Sequence, residues 1–253
     1  MPRAHVGDAD LYYDEFGAGA PVLIVHGILE TGRTYALVAL ALSSGYRVVI
    51  PDLRGYGRSG PRPRRFPPDF YARDAADLVG LLTQLDLTAV RVLGFGDGAE
   101  VALLLALAAP ERVRALIAVD VSGTFPPALL DVLPTFGDWA SDGLSETPSL
   151  RNEAFHEYGR AGTLAMWNEW KAAVRAIIAA GGDISLSQAG HIACPALLIN
   201  GVDDTVNTVA VSQTLAAAIP HAELRLIPDM GQLVYSRQNR LFSDLAAQWF
   251  ATH

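Results

Sequence analysis

Short apolar runs rich in Val, Ile and Leu alternate along this chain with longer segments whose apolar residues recur at helical spacing. The short runs predict strands at 11–16, 22–25, 46–50, 115–121, 196–200 and 224–227, and one more beginning at 90. The longer segments predict helices at 31–44, 69–85, 208–219 and 241–251, and one running from the glycines near 96 to 109. Strands that alternate with helices imply an α/β fold, a mostly parallel sheet with helices on both faces. The rhythm stops between 124 and 190, where helical and Pro signals and the aromatics Phe125, Phe136, Trp139, Phe155, Tyr158, Trp167 and Trp170 take over. A small helical cap is expected there, inserted into a core made of 1–123 and 191–253.

Within 90–109 the apolar pattern breaks at Gly94, Gly96 and Gly98 and then resumes, which reads as strand, sharp turn and helix. Three further motifs follow predicted strands: His26-Gly27 after the second, Asp52-Leu53-Arg54-Gly55-Tyr56-Gly57-Arg58-Ser59 after the third, and Gly201-Val202-Asp203-Asp204 after a late one. In this order the motifs resemble those of the α/β-hydrolase superfamily, with the small capped esterases, lactonases and valacyclovirase-like hydrolases most similar. They correspond to its G-x-S-x-G nucleophile elbow, its oxyanion-hole loop, its D-x-R-G-x-G-x-S signature and its G-x-x-D acid turn. The resemblance covers nearly the whole chain.

Two departures fall on the bond-making residues. The position that the resemblance assigns to the nucleophile is Gly96, and Asp229-Met230-Gly231-Gln232-Leu233 puts Gln232 where the family's histidine stands. The acid position keeps Asp204. A glutamine amide does not titrate near neutral pH and cannot relay a proton as imidazole does, so serine-type acyl transfer lacks both nucleophile and base. Asp97 as nucleophile, in the manner of epoxide hydrolases and haloalkane dehalogenases, fits the register poorly, because Phe95 would then occupy a place that the tight turn reserves for a small residue. Asp97 reads instead as an acidic residue facing the helix N-terminal dipole.

What the resemblance leaves is an oxyanion site made of backbone. The N–H groups of Ile28 and Asp97 are expected to point at one apolar pocket, with His26 and Asp204 as the titratable groups beside it. The favoured expectation is a non-hydrolytic catalyst, of lyase, isomerase or cyclase type, acting on an apolar small molecule. Two alternatives stand beside it: a ligand- or partner-binding protein without catalysis, and a hydrolase in which Asp204 or His26 activates water. His26 also reads as a brace for its loop, and Asp204 as a relic of the triad.

Composition narrows the partners. The 253 residues are 51% hydrophobic, enough for one large domain, and the formal charge of −8 opposes binding to nucleic acid. The longest apolar run, 101–109, is far short of the roughly 20 residues of a membrane span. Cys194 is the single cysteine, which removes a disulfide framework and a thiolate metal cluster and suits a reducing cytoplasm. It is expected to be a buried apolar residue. No cofactor or metal is expected, a small-molecule ligand is the expected partner, and the oligomeric state is not legible. Arg54, Arg58, Arg62, Arg64 and Arg65 read as a solvated basic loop, His156 as a cap residue, and His191 as lying at the wrong end of the sheet for catalysis.

Overall fold

A computed structural model describes residues 2–134, 148–231 and 238–253. Its strands are β1 (Arg3–Val6), β2 (Ala9–Phe16), β3 (Ala20–Val25), β4 (Tyr46–Pro51), β5 (Val90–Phe95), β6 (Val113–Val119), β7 (Ala196–Gly201) and β8 (Ala222–Ile227). The helices are α1 (Ala36–Leu42), α2 (Phe70–Gln84), α3 (Asp97–Ala108), α4 (Leu129–Val132), α5 (Pro148–Ala179), α6 (Val209–Ala218) and α7 (Asn239–Thr252). One sheet runs in the order β1-β2-β4-β3-β5-β6-β7-β8. β2 is antiparallel to β1 and to β4, and every pair from β4 to β8 is parallel.

The chain's period-2 pattern shows which helices cover which face. Phe95, near the middle of the sheet, stacks on Tyr35 at 4.2 Å and meets Phe242 of α7 edge-on at 5.5 Å. Its neighbour Gly94 points to the opposite face, where an added Cβ would lie 2.7 Å from Cα of Ala99 in α3. Successive strand residues face opposite ways, so α3 lies on one face and α7 on the other. α3 is buried on most sides, at Val101, Ala102, Leu103 and Leu105, because it is enclosed between the sheet and α2.

Three elements differ from the predicted pattern. β1 was not expected: its four residues alternate exposed and buried but are too few to register as a period. The segment 31–44 starts as a 3-10 turn at Gly32–Tyr35 before α1, since Gly32 N–H is held at 2.8 Å by the Asp52 carboxylate. β6 ends at Val119 rather than 121, because Asp120 adopts a left-handed φ of 54°.

Among the described residues, only helices and irregular chain lie between Asp120 and β7, apart from an isolated bridge between Thr124 and Asp183. That bridge pinches the segment at its base. Phe125 N–H donates to the Gly182 carbonyl at 2.7 Å, and Ile184 N–H to that of Gly123 at 3.0 Å. From α3, the buried Glu100 carboxylate reaches the same junction and accepts the N–H groups of Ser122 and Gly123 and the hydroxyl of Ser185. Burial pushes the Glu100 pKa up to about 7 against the pull of these donors. The folded state therefore holds a proton on this group where the unfolded chain has lost it, and its contribution to stability declines from about pH 4.5 to pH 7. Glu100→Gln keeps an acceptor for the two amides and should reduce that decline, with a gain of up to about 3 kcal/mol at pH 8 relative to pH 4.5. Urea unfolding of both proteins at the two pH values checks this; an equal decline in both would remove Glu100 as a source.

Candidate active site

The parallel strands deliver three loops to the same edge of the sheet, those after β3, β5 and β7. After β5 the chain turns at Gly96, whose φ of 52° and ψ of −122° are conformations that a side chain strains. Gly96 N–H is held by the Val119 carbonyl at 2.9 Å, and α3 begins at the next residue. The flanking glycines serve close approach. A Cβ on Gly94 would lie 2.5 Å from the Gly98 carbonyl oxygen, and one on Gly98 would run into the carbonyls of Val25 and His26. The start of α3 is therefore pressed against the end of β3, which brings the N-terminus of the helix beside the His26-Gly27-Ile28 loop. Among the described residues, no hydrogen bond engages the N–H of Ile28 or of Asp97. Gly96, and not Asp97, is the turn residue.

His26 is fully buried, and both ring nitrogens are committed. Leu53 N–H donates to Nε2 at 2.9 Å, so Nε2 is the unprotonated nitrogen and Nδ1–H donates to the Gly27 carbonyl at 2.8 Å. Burial lowers the His26 pKa to about 4. The ring is a neutral strut between the loops after β3 and β4, and it has no nitrogen left for a water; the expectation that His26 activates water is withdrawn on this geometry.

The same loop contains a group that motif matching missed. Glu30 is 2% exposed, and its Oε2 accepts Gly27 N–H at 2.8 Å and the Tyr35 hydroxyl at 2.7 Å. Among the described residues its Oε1 has no hydrogen-bond partner. Burial raises its pKa to about 7; the two donors pull it down, and the charges of Glu153 and Asp97 push it up. The only sequence signal is an acid three residues beyond Gly27.

The Asp97 side chain lies between core and insertion. Tyr71 of α2 donates to Oδ1 at 2.7 Å and Trp170 of α5 to Oδ2 at 2.8 Å. Burial raises its pKa to about 6, against the pull of both donors. A second contact comes from Tyr158, whose hydroxyl donates to the Glu30 carbonyl and accepts Gly57 N–H, each at 3.2 Å. Trp170 also stacks on Trp167 at 5.0 Å, and both are buried in the apolar core that continues into the sheet. Phe136 and Trp139 lie outside the described residues.

After β7, Asp204 is 4% exposed. Oδ1 accepts Val206 N–H at 2.7 Å and Asn207 N–H at 2.8 Å, and among the described residues Oδ2 accepts no hydrogen bond. Burial raises its pKa. Gln232 lies outside the described residues.

The arginine loop departs from expectation in part: Arg62 and Arg65 are exposed, whereas Arg54 pairs with Asp77 and Asp8, Arg58 with Asp14 and Asp52, and Arg64 with Asp74, and these three are ties within the fold. Asp52, which opens the motif, holds Gly32 N–H and Arg58 N–H at 2.8 Å each, and Ser59 closes it by donating to the Asp52 carbonyl at 2.6 Å. The motif is therefore architecture. Cys194 is buried, with its thiol pushed up to about 11, and His191 is exposed just ahead of β7. Among the described residues there is no cluster of His, Cys, Asp and Glu able to hold a metal, and no helix long and apolar enough to cross a membrane.

Relatives and solved structures agree with this architecture. The serine hydrolase BPHL of Homo sapiens is 27% identical over 96% of this chain and 84% of its own length. That of Mus musculus is 36% identical over 46% of this chain and 40% of its own length. Two further relatives are likewise matched over less than half of their length, 44% and 48%. The enol-lactonase from Burkholderia xenovorans LB400 superposes with a TM-score of 0.78 over 99% of this chain and 100% of its own, at 20% identity. A thermophilic esterase from Thermogutta terrifontis gives 0.76 over 99% and 98%, also at 20%. The relatives are enzymes, and at 20% identity the two structures speak for the fold alone. The sequence model described as alpha/beta hydrolase fold matches residues 20–155, more than half of the length, and the chain belongs to that family.

Proposed function

We propose that this chain is an enzyme that uses the hydrolase framework without covalent serine chemistry, moving a proton next to a polarised carbonyl of an apolar small molecule. The observation that carries the reading is the glycine at the β5–α3 turn: Gly96 has the strained conformation of the elbow and no side-chain atom to attack with. The two backbone N–H groups beside it, of Ile28 and Asp97, are the natural donors to a carbonyl oxygen. Asp204 follows β7 at the same edge, with a buried oxygen that accepts no hydrogen bond among the described residues, and burial raises its pKa against the pull of the Val206 and Asn207 hydrogen bonds.

In this reading Asp204 takes a proton from the carbon next to the carbonyl. The C–H electron pair moves into the new C=C bond, the carbonyl π pair moves to oxygen, and the two N–H groups hold the resulting enolate. The proton then returns at another atom, or a leaving group departs from the neighbouring carbon. The helical insertion serves as the cap that keeps water from the enolate. Because water is neither consumed nor activated, the outcome is isomerisation or elimination.

Incubation of the protein with a panel of enolisable ketones and lactones in D2O, followed by NMR, tests this. Exchange of the α-proton is expected for at least one member, with a loss of about 10²–10⁴-fold in Asp204→Asn. Exchange that survives in Asp204→Asn would remove Asp204 from its role. Saturable binding with no exchange across the panel would favour the non-catalytic reading.

A further inference from the structure

A cavity of about 560 Å³ lies between the loop after β3, the stretch of α5 near 152–157 and the start of α7. Neither Gly96, Ile28, Asp97 nor Asp204 lines it. Its walls carry Glu153, His156 and Glu157 from α5 and Arg33 from the loop, with Leu29 and Leu37 as apolar surface and Glu30 among the lining residues. Glu30 is the informative one. One of its carboxylate oxygens is saturated by Gly27 N–H and Tyr35, and the other is buried and makes no hydrogen bond among the described residues. A brace for Gly27 needs one acceptor oxygen only. The second is left desolvated and uncompensated, in a field that Glu153 and Asp97 already make more negative. Three carboxylates against one guanidinium leave the groove short of positive charge.

We propose that this groove binds a small organic cation, a primary ammonium on a short apolar group, with Glu30 as its buried counter-ion and Glu153 and Glu157 at its rim. A metal ion fits poorly, because no cluster of three or more ligating side chains is present among the described residues, whereas an ammonium needs one good carboxylate and a few weaker acceptors. The volume is in the range of small-molecule pockets, and Leu29 and Leu37 offer the apolar body of the ligand a surface. The cation favours ionised Glu30, so binding near neutral pH releases a proton. Of the groups around Glu30, Tyr35 donates to it, Asp97 and Glu153 oppose its ionisation, and Arg33, His156 and Glu157 set the charge of the open side.

Calorimetric titration with benzylammonium, which stays charged between pH 5.5 and pH 8, tests the site against benzyl alcohol as its neutral counterpart of the same shape. The expected result is saturable binding of the ammonium at pH 8, at least about tenfold tighter than the alcohol, weakened about tenfold at pH 5.5 and again about tenfold in Glu30→Gln. If Glu30→Gln does not fold, the exposed pair Glu153→Gln/Glu157→Gln carries the test, with an expected loss of about threefold or more. No binding, equal affinity for the alcohol, an affinity indifferent to pH, or unchanged affinity in whichever variant folds would each overturn the proposal. The readout is binding without turnover, so its failure leaves the roles of Gly96 and Asp204 untouched.

Discussion

Substituting Gly96→Ser and Gln232→His together is expected to give ester hydrolysis that neither change gives alone. Gly96→Ser supplies a hydroxyl at the elbow, but with no base it stays protonated and weakly nucleophilic. Gln232→His supplies an imidazole with nothing but water to activate. Among the described residues Asp204 Oδ2 accepts no hydrogen bond, and the expected triad geometry would give it the imidazole N–H. Triad members act as a unit, so the rate of the double variant should exceed the product of the two single effects by on the order of tenfold or more. The new serine must adopt a φ of 52° and ψ of −122°, so a cost of about 1–3 kcal/mol in stability should accompany the gain. Nitrophenyl-ester turnover and serine-directed phosphonate labelling of the four proteins decide the matter. The parent chain should not label; rapid labelling of it at another residue would overturn the site, and a folded but inert double variant would mean that more than two positions have drifted.

How much of this was legible before the structure depends on whether the determining contact is local. The elbow was readable because Gly94 and Gly98 are required by backbone atoms a few residues away or on the adjacent strand and Gly96 by its own positive φ, so the spacing itself carries the constraint. The loss of strand rhythm after 123 corresponds to a stretch in which, among the described residues, only helices and irregular chain precede β7. The state of His26 was not readable, since its Nε2 is held by an amide 27 residues further on. Glu30 looked like any loop acid; its burial and its unpaired oxygen arise only once Tyr35 and the α5 face close around it. Tyr158 and Trp170 enter the sequence pattern only as aromatics of the 124–190 segment, whereas their polar ends tie α5 to Gly57, Glu30 and Asp97 over separations of 73 to 128 residues.

The arginine-rich turn is the sharpest case, and it carries the largest expected loss of stability. A run of arginines among prolines reads as solvated because each side chain is long and charged, yet Arg64 is 3% exposed. Its NH1 and NH2 meet the two oxygens of Asp74 at 2.7 Å each, NH1 also donates to the Arg54 carbonyl at 2.9 Å, and the guanidinium sits 4.8 to 5.5 Å from the rings of Phe66, Tyr56 and Phe70. Burial lifts the Asp74 pKa, and the Arg64 charge and hydrogen bonds oppose it. Arg64→Met leaves Asp74 buried with its bidentate partner gone and the Asp77 charge nearby, and it should cost about 3–5 kcal/mol. The sign of the pH effect follows from the same balance. Without Arg64 the folded-state pKa of Asp74 rises further, so the loss is full above that pKa and shrinks as the pH falls and the carboxyl takes up a proton. Arg64→Met with Asp74→Leu removes both charges and should recover most of the loss, since a buried pair replaced by apolar residues of similar volume is often neutral. Urea unfolding of wild type, the single and the double variant at pH 5 and pH 8 measures all three expectations. A single variant within about 1 kcal/mol of wild type at pH 8 would place the stability of this turn in the aromatic packing around Arg64 instead of in its ion pair.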